Sequence, residues 1–160
     1  MGGENIEMDS SKKLALRILG NRNLSSQDIE MRLVNKGETA ETARQVVEWL
    51  EDIGAVNDIE YAESIVRHYS TKGYGIARIK QELFKRGIDR EMWEEALVFA
   101  DDMVDAAFGF INKKLKGSCE KDDLRKAEAA LCRRGFSYDE AREAMKKYME
   151  EIGNDWEELS

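Results

Sequence analysis

His68 is the only histidine in the chain, and the two thiols, Cys119 and Cys132, stand 13 residues apart with no Cys-x-x-Cys pair. Zinc chemistry needs such groups clustered at ligand spacing. A lone histidine on a helix reads instead as an exposed or partly packed side chain. Adjacent carboxylates recur at Glu94–Glu95, Asp101–Asp102 and Asp122–Asp123. An acid–base pair needs two carboxyls in contrasting environments, and nothing singles out one pair, so these read as solvated helix faces and caps. No glycine-rich phosphate loop follows a strand. These residues predict no catalytic site, no metal and no cofactor, and the chain reads as a non-enzyme.

Positive charge does recur. Arg78 and Lys85 are seven residues apart, as are Lys126 and Arg133. Seven residues is about two helical turns, so each pair shares a face. The corresponding residues nearer the N-terminus, Asp28 and Asn35, are not cationic. Arg86 and Arg134 extend the two basic sets. The net charge of −8 hides this pattern. Residues 113–147 carry +4, whereas residues 148–160 and 1–60 each carry −5. An acidic chain can thus present a basic face. Ordinary solvated helix positions would also carry such residues.

The cations sit on a repeated frame. "LVNKG", "LFKRG" and "LCRRG" end at Gly37, Gly87 and Gly135, spaced by 50 and 48 residues. Each reads as a helix stop: a last core leucine, a cation facing the negative end of the helix dipole, and a glycine free to take positive φ. Twelve residues upstream stand Ser25, Gly75 and Asp123, and two downstream stand Thr39, Asp89 and Ser137, all N-cap types. Ser137 with Glu140 forms a capping box. Ile29/Leu33, Ile79/Leu83 and Ala127/Leu131 give i,i+4 apolar pairs before the glycines, and Ala43, Trp93 and Ala141 open the following stripes. A further helix precedes each pair, the second of them capped by Asp58, and a break falls near Asp101–Asp102.

The fold expected is therefore all-α: three tandem three-helix repeats forming an elongated, curved helical-repeat domain. Its boundaries are a flexible N-terminus at 1–10, repeats at 11–54, 55–101 and 102–149, and an acidic tail at 150–160. The composition, 42% hydrophobic and 36% charged with no proline, suits helices. No apolar run is long enough to span a membrane and no secretory signal is visible, so a cytoplasmic monomer with reduced thiols is expected. Cys132 reads as a small buried residue, Tyr61 as core, and Trp49 and Trp93 as members of inner stripes. Trp156, in the acidic tail, is unassigned.

The stretch "IGAVNDIEYAESIVRHYSTKGYGIARIKQELFKRGI", Ile53 to Ile88, is more specific than a helix repeat requires. Gly54, Val56 and Asp58, then Tyr61–Ala62 and Val66, then Gly73–Gly75, Arg78–Ile79, Glu82–Leu83 and the closing "KRGI" resemble the RecX family, regulators of the RecA recombinase. The likeness extends more loosely over residues 13–149. Ala55 stands where the family usually has an aromatic, and Asn57 where an aspartate is common. The resemblance implies a non-catalytic modulator, an inhibitor in the first instance. It would bind the RecA filament on DNA and restrain its ATPase, strand exchange and co-protease activity. Arg78, Lys85, Arg86, Lys126, Arg133 and Arg134 are the candidate residues for meeting RecA or nearby DNA phosphates. The alternative is a sequence-independent DNA-binding helical protein that acts without RecA.

Overall fold

A computed structural model describes residues 2–153, with side chains from Met8 onward. Among these residues the structure is entirely helical. In chain order the α-helices are α1 (Gly2–Leu19), α2 (Ser26–Asn35), α3 (Ala40–Asp52), α4 (Asp58–Thr71) and α5 (Ile76–Lys85). After a 3-10 turn at Arg90–Met92 come α6 (Trp93–Leu97), α7 (Met103–Leu115), α8 (Lys121–Arg133) and α9 (Tyr138–Glu151). The expected break near residue 101 is real: Asp102 caps α7 by accepting from the Asp105 amide. No described helix is long and apolar enough to cross a membrane. Trp156 and residues 154–160 of the acidic tail lie outside the described residues.

The repeated glycines act as the stop-signal reading requires. Gly37, Gly87 and Gly135 have φ of +108°, +76° and +96°. In each case the amide after the glycine donates to the leucine carbonyl four residues before it. The three bonds are Glu38 to Leu33 (3.0 Å), Ile88 to Leu83 (3.0 Å) and Phe136 to Leu131 (3.1 Å). The glycine amide closes the inner ring onto Val34, Phe84 or Cys132. This is the Schellman arrangement, in which a left-handed residue lets two orphan carbonyls find partners. Leu33, Leu83 and Leu131 are fully buried, so one residue type serves both core and cap.

Helix starts agree with the sequence at Ser25, Thr39 and Ser137, whose hydroxyls each accept from the amide three residues on, with the full capping box at Ser137. They differ at two places. Asn57, not Asp58, caps α4, its Oδ1 accepting from the Glu60 amide. The N-cap position of α8 is Glu120, and Asp123 instead accepts from the Ser118 hydroxyl at 2.6 Å. Asp58 is drawn elsewhere: it accepts from both the amide (2.8 Å) and the hydroxyl (2.5 Å) of Ser26. A carboxylate there sits at the positive end of α2.

The chain divides into two compact units. The first runs through Ala62 and adds Leu83–Met92. Its α1, α2 and α3 pack on one another around Ala15, Ile29, Leu33, Val46 and Leu50. The second comprises Glu63–Glu82 and the chain from Trp93 onward. There α7, α8 and α9 enclose Ile111, Leu124, Leu131, Met145, Tyr148 and Met149.

Two expectations about packing, at Cys132 and Tyr61, need correction. Cys132 is exposed. It follows Leu131 directly, and one step of 100° carries it off the inner stripe. Trp49 is half-buried and packs against the first unit's core, with the Lys12 ammonium 4.7 Å above its ring, and Trp93 is buried as expected. Tyr61 is also half-buried rather than core.

Candidate partner-binding cations

The six candidate cations occupy two kinds of environment. Lys85 ends α5, and Lys126 and Arg133 lie on α8; all three side chains are exposed. None makes an ion pair or hydrogen bond among the described residues. Their stems leave the helix on the side away from Leu83, Ala127 and Leu131, as the apolar spacing dictates.

Arg78, Arg86 and Arg134 are engaged within the protein. Arg78 Nη2 lies 3.1 Å from Glu82 Oε1, one turn along α5. Glu82 is only 4% exposed, so this cation neutralises a carboxylate inside the fold. The guanidinium also lies 5.4 Å from the Tyr74 ring centroid. Arg86 Nη1 donates to the Tyr61 hydroxyl at 3.0 Å. Arg134 is held most completely. Its Nε donates to the Gly73 carbonyl (2.8 Å) and its Nη2 to the Lys72 carbonyl (2.9 Å). Its Cζ stands 3.9 Å from the Tyr74 centroid and 4.3 Å from that of Phe110. A planar cation between two rings that also binds the two carbonyls just past the end of α4 uses most of what a guanidinium offers.

These contacts explain the "GYG" of the middle stretch. Gly73 ends α4 at φ +84°, and a Cβ there would press to 3.1 Å from Phe110 Cβ. Tyr74 supplies a face for Arg134. Gly75 opens α5 where the Arg134–Gly135 turn crosses it. Its amide donates to the Arg134 carbonyl at 2.8 Å, and the Ala77 amide donates to the Gly135 carbonyl at 3.2 Å. The orphan donors of one helix start are thereby satisfied by the orphan acceptors of one helix end. A Cβ on Gly75 would overlap the Gly135 backbone, and one on Gly135 would come within 2.5 Å of the Arg78 nitrogen.

In sequence the six cations form one set, because a last-turn arginine looks alike whether it faces solvent or folds back. The available signal was an aromatic at matched distance: Tyr61 precedes Arg86 by 25 residues and Phe110 precedes Arg134 by 24. The residues with chemical potential stay apart. His68 is exposed beside Tyr69, Asp122 pairs with Arg125, and no group of His, Cys, Asp and Glu among the described residues has metal-binding geometry.

Known proteins match this chain over most of its length. The family model for "RecX, second three-helix domain" matches residues 57–97. The "Regulatory protein RecX" of Pelodictyon phaeoclathratiforme is 32% identical over 136 residues, which is 82% of this chain and 84% of that protein. The protein of the same name from Vibrio cholerae serotype O1 is 30% identical over 142 residues, 87% of this chain and 93% of its own. The crystal structure of RecX from Lactobacillus salivarius superposes with a TM-score of 0.79, at 24% identity, over 90% of this chain and 97% of that one. With repeated helix stops, the GYG crossing and relatives alike over nearly the whole length, the chain belongs to the RecX family of regulatory proteins.

Proposed function

We propose that this protein binds the RecA filament on DNA and restrains RecA activity, and that Lys85, Lys126 and Arg133 face the partner. Family membership supports RecA as the partner. The observation that carries the choice of residues is that these three cations are exposed and uncommitted among the described residues, whereas Arg78, Arg86 and Arg134 are half-buried and already bonded within the protein. Unpaired surface cations speed encounter with an acidic or phosphate-lined surface, each adding modestly to affinity. Arg86 and Arg134 act as positioning residues: they fix the turns that follow Lys85 and Arg133.

The deciding experiment is a mobility-shift titration of labelled single-stranded DNA, with and without RecA, at low and moderate salt. A RecA regulator shifts the RecA–DNA complex while leaving bare DNA largely unshifted at moderate salt. A protein that shifts bare DNA equally well without RecA, with a steep loss on adding salt, is the DNA-binding alternative.

A further inference from the structure

Helix α7 carries a glycine that its own fold does not require. Gly109 lies inside Met103–Leu115, its φ is not positive, and a Cβ built on it would meet nothing within 4 Å. Glycine in a helix interior weakens the helix relative to alanine. Neither backbone conformation nor packing accounts for it here.

The open space belongs to a cleft of about 710 Å³ between the C-terminal end of α4 and one face of α7. Ala106 and Gly109 both line it, beside Phe110, and at these two positions of α7 no side chain is longer than a methyl group. The two ends are opposite in charge. Asp101 and Asp105 line the end near the start of α7, while Lys113 and Lys114 line the other; Lys72, just past the end of α4, and Arg134 also line the cleft. Eight residues of helix separate Asp105 from Lys113, about 12 Å. Asp105 already accepts from Lys147 at 3.1 Å. The three lysines make no ion pair among the described residues.

This zoning selects among occupants. A phosphodiester chain carries negative charge along its whole length and would be repelled at the aspartate end. A purely apolar helix would leave both charged ends desolvated and unmatched. A peptide with acidic side chains at one end and basic ones about 12 Å away meets both ends with opposite charge. Its backbone or a small residue can lie directly on Gly109. We propose that this cleft docks a peptide segment of the partner protein that carries separated acidic and basic clusters. The inference rests on the reading above that the partner is RecA.

The test uses the full chain with RecA filaments on single-stranded DNA, and bare single-stranded DNA as the second probe. Gly109→Trp fills the cleft from a position with free space, and Lys113→Glu/Lys114→Glu inverts one end without filling it. Both are expected to weaken filament binding about tenfold or more while leaving bare-DNA binding as in the wild type. Gly109→Ala is expected to raise Tm, confirming the open space. Wild-type filament affinity in both variants would overturn the cleft proposal while leaving the RecA reading intact. Parallel loss on filament and bare DNA would make the occupant nucleic acid and overturn the peptide proposal. A wild-type protein that ignores the filament would remove the RecA reading, and the peptide proposal with it.

Discussion

The protein makes the same crossing twice, once in each compact unit, and makes it differently. In the first unit the turn at Gly87 lies against the start of α2; in the second the turn at Gly135 lies against the start of α5. The residues that open the two helices, Ser25 and Gly75, occupy equivalent places twelve residues before Gly37 and Gly87. At the first crossing side chains do the joining: Ser25 caps its own helix, Asp58 holds Ser26, and Arg86 reaches Tyr61. At the second, main chain meets main chain through Gly75 and Gly135, and Arg134 locks the turn between two rings. A helix start with its own hydroxyl cap keeps the neighbouring turn at side-chain distance. A helix start with no side chain lets that turn supply the cap. The second crossing is therefore the less tolerant of change.

The largest expected effect is at Gly75. Its Cβ would overlap main chain that cannot rotate away, so Gly75→Ala should cost about 3 kcal/mol or more in a denaturant melt. A loss under about 1 kcal/mol would mean the two crossings are equally loose.

Leu131→Ala and Leu83→Ala come next, at about 2–5 kcal/mol each, because both leucines are fully buried at a helix end. They calibrate the comparison, since each affects one crossing through its core rather than its contact surface.

The glycines that cross should rank below these but unequally. Gly135→Ala combines positive φ with the Arg78 backbone, and about 2–3 kcal/mol is expected. Gly87→Ala meets the Ser25 hydroxyl at 2.7 Å, which can move, so about 1–2 kcal/mol is expected, partly relieved by Ser25→Gly. Gly37→Ala, with open space, should cost only the φ penalty of about 1 kcal/mol. Equal costs at all three would contradict the difference between the crossings.

The smallest effect concerns acidity in the first unit. Burial, then Asp58, raise the Glu51 carboxyl above its ordinary value, and Glu51 sits at the negative end of α3. A raised folded-state pKa means the folded protein holds more protons, so this group's contribution to stability falls as pH rises through that value. Glu51→Gln should therefore raise Tm near neutral pH by no more than about 2 °C, given its exposure, and the gain should vanish below about pH 4. A gain that persists unchanged in acid would sink this account of Glu51.

Local features of this fold were readable from sequence because their causes are local. Ser137 and Glu140 are three residues apart, and Leu131 and Gly135 four, so capping and stopping could be read directly. Cys132 is ambiguous in sequence because a small thiol suits a core as well as a surface, and a single step along α8 puts it on the surface. The crossings were not readable. Gly75 and Gly135 are 60 residues apart, and in sequence Gly75 looks like any permissive helix start. The basic set was legible as charge but not as two populations, because Arg133 and Arg134 differ only in which way the helix turns them.

The most direct measurement is inhibition of RecA's DNA-dependent ATPase by the wild type and by Lys85→Glu/Lys126→Glu/Arg133→Glu, titrated side by side with Tm recorded for both. The wild type is expected to inhibit, and the triple variant to need about tenfold more protein for the same inhibition at an unchanged Tm. Equal inhibition by a variant that melts like the wild type would contradict the assignment of these cations to the partner.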